Sequence, residues 1–191
     1  MAEITPEVTG RDLSLCAMVD RSRPVAKKTT KMQSRKRNRM LNYDYSQDGI
    51  YFITVCTKDR RHHFGKVHYA EVYLNDSGLI AKRQILWLAV QYPYLELHNF
   101  VVMPNHVHLL FQIDRSKVES EELKIKTVSS IMGAYKTTSS KAIHLKGNAD
   151  FRWQRSFHDH IVRSKEAYEK IFQYISNNPQ NWEKDKFRDE E

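Results

Sequence analysis

Apolar and polar positions along the chain change period several times, and each change marks an element. Ile50–Thr57, IYFITVCT, is rich in β-branched and aromatic residues and predicts a strand. Asn75 or Asp76 can cap a helix running to about Gln91, with Leu79, Ile80, Ile85, Leu86, Leu88 and Ala89 mainly on one side. Pro93 stops it. Glu96–Met103 and His106–Ile113 predict two strands, and the short Pro104-Asn105 link suits a tight hairpin. A polar loop leads to a longer helix, about Glu121 to Ile143. Ser156–Arg163 alternates like a strand, and Ser164 caps a last helix that Pro179 terminates.

The predicted order is strand, helix, strand, strand, helix, strand, helix. One antiparallel sheet with helices packed on it is the natural solution, an α+β class. The first six elements match the split βαβ plan of ferredoxin-like (RRM-like) folds. Residues 1–44 predict a basic arm, 45–183 the folded domain and 184–191 a charged tail.

Charge narrows the partners. Among 191 residues, 31 Lys and Arg oppose 23 Asp and Glu, a formal net charge of +8. Such a chain attracts polyanions, of which nucleic acid is the commonest in a cell. Lys27, Lys28, Lys31, Arg35, Lys36, Arg37 and Arg39 crowd the arm, a pattern of solvated arms and of nucleic-acid contacts alike. The longest apolar runs are far too short to cross a bilayer, so no membrane partner is expected. Two cysteines, Cys16 and Cys56, make neither a disulfide framework nor a zinc knuckle, which fits a reducing cytoplasm.

Two residue sets carry candidate chemistry. His106 and His108 lie two apart on a strand, so both rings leave one face while Val107 joins Leu109, Phe111 and Ile113 on the other. Two adjacent imidazoles can chelate one divalent ion. His158 and His160 form a rival pair around Asp159, whereas neighbours His62 and His63 point apart. On the last helix Tyr168, Ile171, Phe172 and Ile175 make the apolar stripe. Tyr174 and Asn178 fall on a different face, one turn apart. Of the candidate tyrosines, only Tyr174 pairs an off-core position with an amide one turn away. Candidate phosphate contacts are Arg35, Lys36, Arg37, Arg39, Arg60, Arg61, Lys136, Arg152, Arg155 and Arg163. Trp153 and Phe157 suit either base stacking or core packing.

The segments FVVMPNHVHLLFQI, WQRSFHDHIVR and YISNNP, in that order, resemble the single-tyrosine HUH transposases, and among them the REP-associated tyrosine transposases of bacteria. The resemblance spans about residues 45–183 and excludes the arm. It implies a ferredoxin-like sheet with a C-terminal catalytic helix, the HUH transposase fold. It implies that Tyr174 is the nucleophile and that Asn178 completes a metal site with His106 and His108. The ion would be Mg²⁺ or Mn²⁺, and the substrate single-stranded hairpin DNA. The product would be a 5′-phosphotyrosine beside a free 3′-OH. A free phenol titrates near 10, so the metal or a cation must help deprotonate Tyr174, with His158 and Arg155 as candidates. Relatives include homodimers and monomers, and the expected location is the bacterial cytoplasm, at the nucleoid when DNA is bound. Two other classes compete: an RRM-like nucleic-acid binder without catalysis, and a metal-dependent hydrolase that activates water and leaves Tyr174 idle.

Overall fold

The computed structural model describes residues 40–118 and 124–188. Its centre is a four-stranded antiparallel sheet of β1 (Gly49–Cys56), β4 (Leu95–Val102), β5 (His106–Ile113) and β6 (His158–Val162). The spatial order is β4-β5-β1-β6. This is the ferredoxin-like arrangement that the element order predicts. All three pairings are antiparallel, with Thr54 opposite His108 on one side and His158 on the other.

Alternation along these strands divides the interior into two apolar clusters. Ile53, Val55, Val107, Leu109 and Phe111 point to one face and pack with α1 (Asp76–Gln91) and α2 (Val128–Leu145). On α1 the buried apolar side chains are Ile80, Ala81, Ile85 and Leu88, while Leu79 and Leu86 face solvent. Leu110, Val162, Ile50 and Phe52 point to the other face, where α3 (Lys165–Ser176) covers them with Tyr168, Ile171, Phe172 and Ile175. That is the apolar stripe seen in the sequence, and Ile175 alone contributes roughly 2 kcal/mol by leaving water. Asn99 of β4 donates to Phe172 O at 3.1 Å and to Ser176 Oγ at 2.9 Å, fixing the end of α3 over the sheet.

Caps set the helix starts. Asn75 Oδ1 accepts from Gly78 N, Thr127 from Ser130 N and Ser164 from Ala167 N. The Thr127 cap begins α2 seven residues later than the apolar pattern suggests; residues 119–123 lie outside the described part. A second departure is a two-stranded ribbon, β2 (Gly65–His68) and β3 (Glu71–Leu74), in a stretch to which the apolar pattern assigns no element. Its tip residues Tyr69 and Ala70 have φ of 50° and 61°, as a tight hairpin of right-handed twist requires.

Gly78 marks where α1 is pressed against the chain before it. A Cβ there would lie 2.2 Å from Phe64 O and 2.8 Å from Leu74 Cδ2. Alanine gains up to about 1 kcal/mol in helix propensity, but a backbone carbonyl cannot step aside and such overpacking costs about 1–3 kcal/mol. Gly78→Ala should therefore lower stability in urea melts, against the propensity trend. A more stable variant would mean that the helix sits further out.

Candidate active site

The sheet face under α3 carries the candidate chemistry. His106 and His108 leave β5 on the same side, both with no exposed surface. Their Nε2 atoms approach to 3.1 Å. Two nitrogens each about 2.1 Å from one ion at adjacent corners would stand about 3 Å apart, so the spacing suits a shared ion. Each ring is aimed from behind. Asn105 Nδ2 donates to Phe187 O at 2.8 Å, which turns its Oδ1 toward His106 Nδ1, also at 2.8 Å. An amide oxygen only accepts, so Nδ1 of His106 carries the proton and Nε2 keeps its lone pair. Thr54 Oγ1 contacts His108 Nδ1 at 2.8 Å and can accept from it in the same way.

The end of α3 supplies two more groups. The Tyr174 hydroxyl lies 3.3 Å from His108 Nε2, on a side chain that is 38% exposed. Asn178 follows the helix at the first turn beyond it and is buried. Its Nδ2 donates to Asp185 Oδ2 at 2.8 Å, while its Oδ1 is buried with no hydrogen-bond partner. A buried amide oxygen left unpaired is costly, and a cation would relieve it. Asp185 also comes within 3.9 Å of His106 Nε2. His106, His108 and Asp185 offer ligand atoms all within 4.8 Å of one another. Two imidazoles, a neutral amide oxygen and a carboxylate are a donor set that fits a divalent ion.

Electrostatics agree with that use. Burial pushes His106 down to about 4, with the Asp185 charge partly opposing. Burial, and then the neighbouring His106, hold His108 well below its usual range. Both rings are thus neutral at physiological pH, the form a metal ion would require of them. Burial, and then the Asp185 charge, push the Tyr174 phenol up to about 12.

A family model described as IS200-like transposase matches residues 45–178. The chain belongs to the IS200-like transposase family. An uncharacterized protein of Haemophilus influenzae is 30% identical over 164 residues, covering 79% of this chain and 91% of its own length. A second protein of that organism, named as a REP-associated tyrosine transposase, is 25% identical over 146 residues, covering 73% of this chain and 76% of its own. The solved structure of a REP-associated tyrosine transposase bound to a REP hairpin has the same fold. Its TM-score is 0.53 at 22% identity, over 75% of this chain and 72% of that one. The resemblance carried by the three segments therefore stands.

This IS200-like transposase brings His106, His108, Tyr174 and Asn178 together. Asp185 is the group that sequence reasoning missed. It lies in the charged C-terminal segment, where Asp, Lys and Arg alternate without a motif. The cations are dispersed. Arg60 donates to Lys186 O at 3.2 Å, beside the site. Lys136 reaches Gln154 O at 2.8 Å and Ser156 O at 2.9 Å, pinning the loop before β6. With Lys141, His144 and Arg155 it also lines a basic cleft. Arg152 donates to Phe151 O at 2.7 Å, and Arg163 lies near Met40. Trp153 packs on Phe64, Phe151 and Tyr135, and Phe157 is buried, so both serve the core. Arg35, Lys36, Arg37 and Arg39 lie outside the described residues, as does Cys16. No helix among the described residues is long and apolar enough to cross a membrane.

The buried imidazoles give the metal-free transposase an acid limit. His106 titrates near 6.5 unfolded but about 4 folded. Between those values the unfolded chain binds more protons, so the stability present above 6.5 is lost as pH falls toward 4. At 1.36 kcal/mol per unit, the full loss from His106 is roughly 3 kcal/mol. Melting temperature in EDTA should fall steadily across this window. A flat profile would mean that the rings are solvated or already charged.

Proposed function

We propose that this chain cuts and rejoins single-stranded DNA at hairpin repeats through a covalent 5′-phosphotyrosine on Tyr174. One observation carries the reading: the Tyr174 hydroxyl lies 3.3 Å from His108 Nε2, which itself lies 3.1 Å from His106 Nε2. A single phosphate can then be shared by the nucleophile and by whatever the imidazoles hold. His106, His108 and Asn178 are the proposed ligands of a Mg²⁺ or Mn²⁺ ion, and Asp185 is within reach of the same place. When bound, the ion would neutralise charge on the scissile phosphate and polarise phosphorus.

The chain's own part follows from its geometry. Oη of Tyr174 loses its proton and forms the new bond to phosphorus, the bond to the 3′-oxygen breaks, and that oxygen takes up a proton as it leaves as a free 3′-OH. The phenolic proton must depart during attack, because the hydroxyl is held well above neutral pH. His108 Nε2 lies 3.3 Å from that hydroxyl, and Asp185 and Asn178 act on it as neighbours. Rejoining reverses the exchange: one phosphodiester is traded for another, so no nucleotide cofactor is needed. The relative bound to a REP hairpin supports hairpin DNA as the substrate. The excess of cations supports capture of its phosphates, with Arg60, Arg61, Lys136, Arg152, Arg155 and Arg163 as candidate contacts.

The test is a denaturing gel after incubation of 3′-end-labelled hairpin DNA bearing single-stranded flanks with protein and Mn²⁺. Label should migrate with the protein when the ion is present and not in EDTA. Cleaved DNA free of protein would point instead to hydrolysis. Intact DNA with a normal mobility shift would point to a binder without catalysis.

A further inference from the structure

Beside the candidate active site, on the same sheet face, is a cavity of about 380 Å³. The register places it. Thr54 stands opposite both His108 and His158, and Phe52 opposite both Leu110 and His160. The cavity therefore begins one strand over from His108, about 5 Å along the hydrogen-bonding direction. Among the described residues β6 is the edge of the sheet, and none of their strands closes that side. Phe52 and Thr54 line the cavity from β1, His158 and His160 from β6, and Lys186 and Phe187 from the C-terminal segment.

Phe187 is the wall between the two sites. Its ring centroid lies 5.7 Å from that of His108 and 5.8 Å from that of His158. Its backbone is held at both polar groups: N donates to Asp185 Oδ1 at 2.7 Å, and O accepts from Asn105 at 2.8 Å. Cations flank it, Lys186 Nζ at 4.9 Å and Arg60 Cζ at 6.0 Å from the ring centre. Arg60 is presented by a turn in which Asp59 and Arg60 have φ of 55° and 51°. Two successive left-handed residues that are not glycine persist only where the surroundings impose them. Asp159 also lines the cavity, but its carboxylate is engaged elsewhere. It alternates away from His158 and His160 and accepts from the Tyr45 hydroxyl at 2.7 Å.

Flat rings at the back and side, cations at the rim and an open edge are the chemistry that holds an unpaired nucleotide. The volume falls in the range of small-ligand sites, roughly 300–1,000 Å³, and is too small for a duplex. We propose that this cavity is a nucleotide subsite. It takes one unpaired DNA nucleotide next to the scissile phosphate, stacks its base on Phe187 or Phe52, and meets its phosphate with Arg60 and Lys186. The subsite rests on the strand-transfer reading above and adds to it: single-strandedness at one flanking position is sensed there.

The test uses the full chain and hairpin DNA whose flanks carry one abasic position at a time, with binding read by fluorescence anisotropy. In the wild type, one abasic position near the cleavage point should weaken binding roughly tenfold, the usual worth of one stacked base. Phe187→Ala should weaken binding to intact DNA by a similar factor, yet lose under twofold more at that abasic position. His160→Ala, an exposed edge-strand change remote from the imidazole pair, should show the same non-additivity in smaller measure. If the losses multiply at every flank position in both variants, the subsite is wrong. A free deoxynucleoside monophosphate that binds without any such coupling in the strand would also overturn it. Failure of the underlying reading looks different: the wild type itself would bind flanked hairpins no better than plain duplex.

Discussion

Tyr174→Phe should abolish the protein–DNA adduct and lower cleavage by at least about 10³-fold, the scale of losing a nucleophile. It should leave the fold and DNA affinity nearly unchanged. The substitution removes one oxygen from a ring that stays in place against Phe52 and His108, at centroid distances of 6.1 Å and 5.2 Å. The lost hydrogen bond is long, at 3.3 Å, and partly solvated, so its stability cost is about 0.5–1 kcal/mol or less. The matched control is Tyr168→Phe on the same helix. That ring faces His98 at 5.5 Å and Phe172 at 6.0 Å, and its hydroxyl should take no part in the reaction. Adduct formation by Tyr168→Phe should match the wild type. Protein-linked label persisting in Tyr174→Phe would assign the nucleophile elsewhere and end the transesterification reading at this residue.

Much of this was visible in the residues, for reasons that differ by element. The sheet was legible because its central strand β5, and much of β1, bury both faces, which forces long β-branched and aromatic runs. The face assignment of His106 and His108 followed from the period of two alone. The end of α3 was legible because Tyr174 lies off the apolar stripe. The hairpin of β2 and β3 was not, because Tyr69 and Ala70 fill left-handed positions where glycine or asparagine would have announced a turn. The start of α2 was misplaced because the cap at Thr127, rather than apolar periodicity, decides where the helix begins. Asp185 was invisible for a different reason. Its importance comes from the chain folding back after α3, where Trp182 lies 6.0 Å and Phe187 5.1 Å from the His106 ring. No local pattern encodes such a return. Among the cations, charge was legible but local structure was not: Lys136, a candidate phosphate contact, also holds three backbone carbonyls of the loop before β6.

His106→Ala should cost the protein its metal and its chemistry while sparing DNA binding. The ring contributes one of the two imidazole nitrogens that define the pair. Even disturbing the group that orients a ligand costs 10–100-fold in metal affinity, so removing the ligand itself should cost about 100-fold or more. Mn²⁺ titration followed by electron paramagnetic resonance reads that loss directly, without reference to turnover. Asn105→Ala should fall between, because it frees the His106 tautomer but leaves the nitrogen present, and it also releases the Phe187 carbonyl. Affinity for hairpin DNA should change by less than about threefold in His106→Ala, since a fully buried ring offers nothing to a phosphate backbone whose capture is electrostatic and peripheral. The space left beneath Trp182 and Phe187 should lower the melting temperature, so binding must be compared well below the transition. Unaltered Mn²⁺ affinity would remove His106 from the metal site. An equal loss of DNA binding in the folded variant would make His106 a structural support or DNA contact, and the nucleophile would then have no partner at the place the geometry requires.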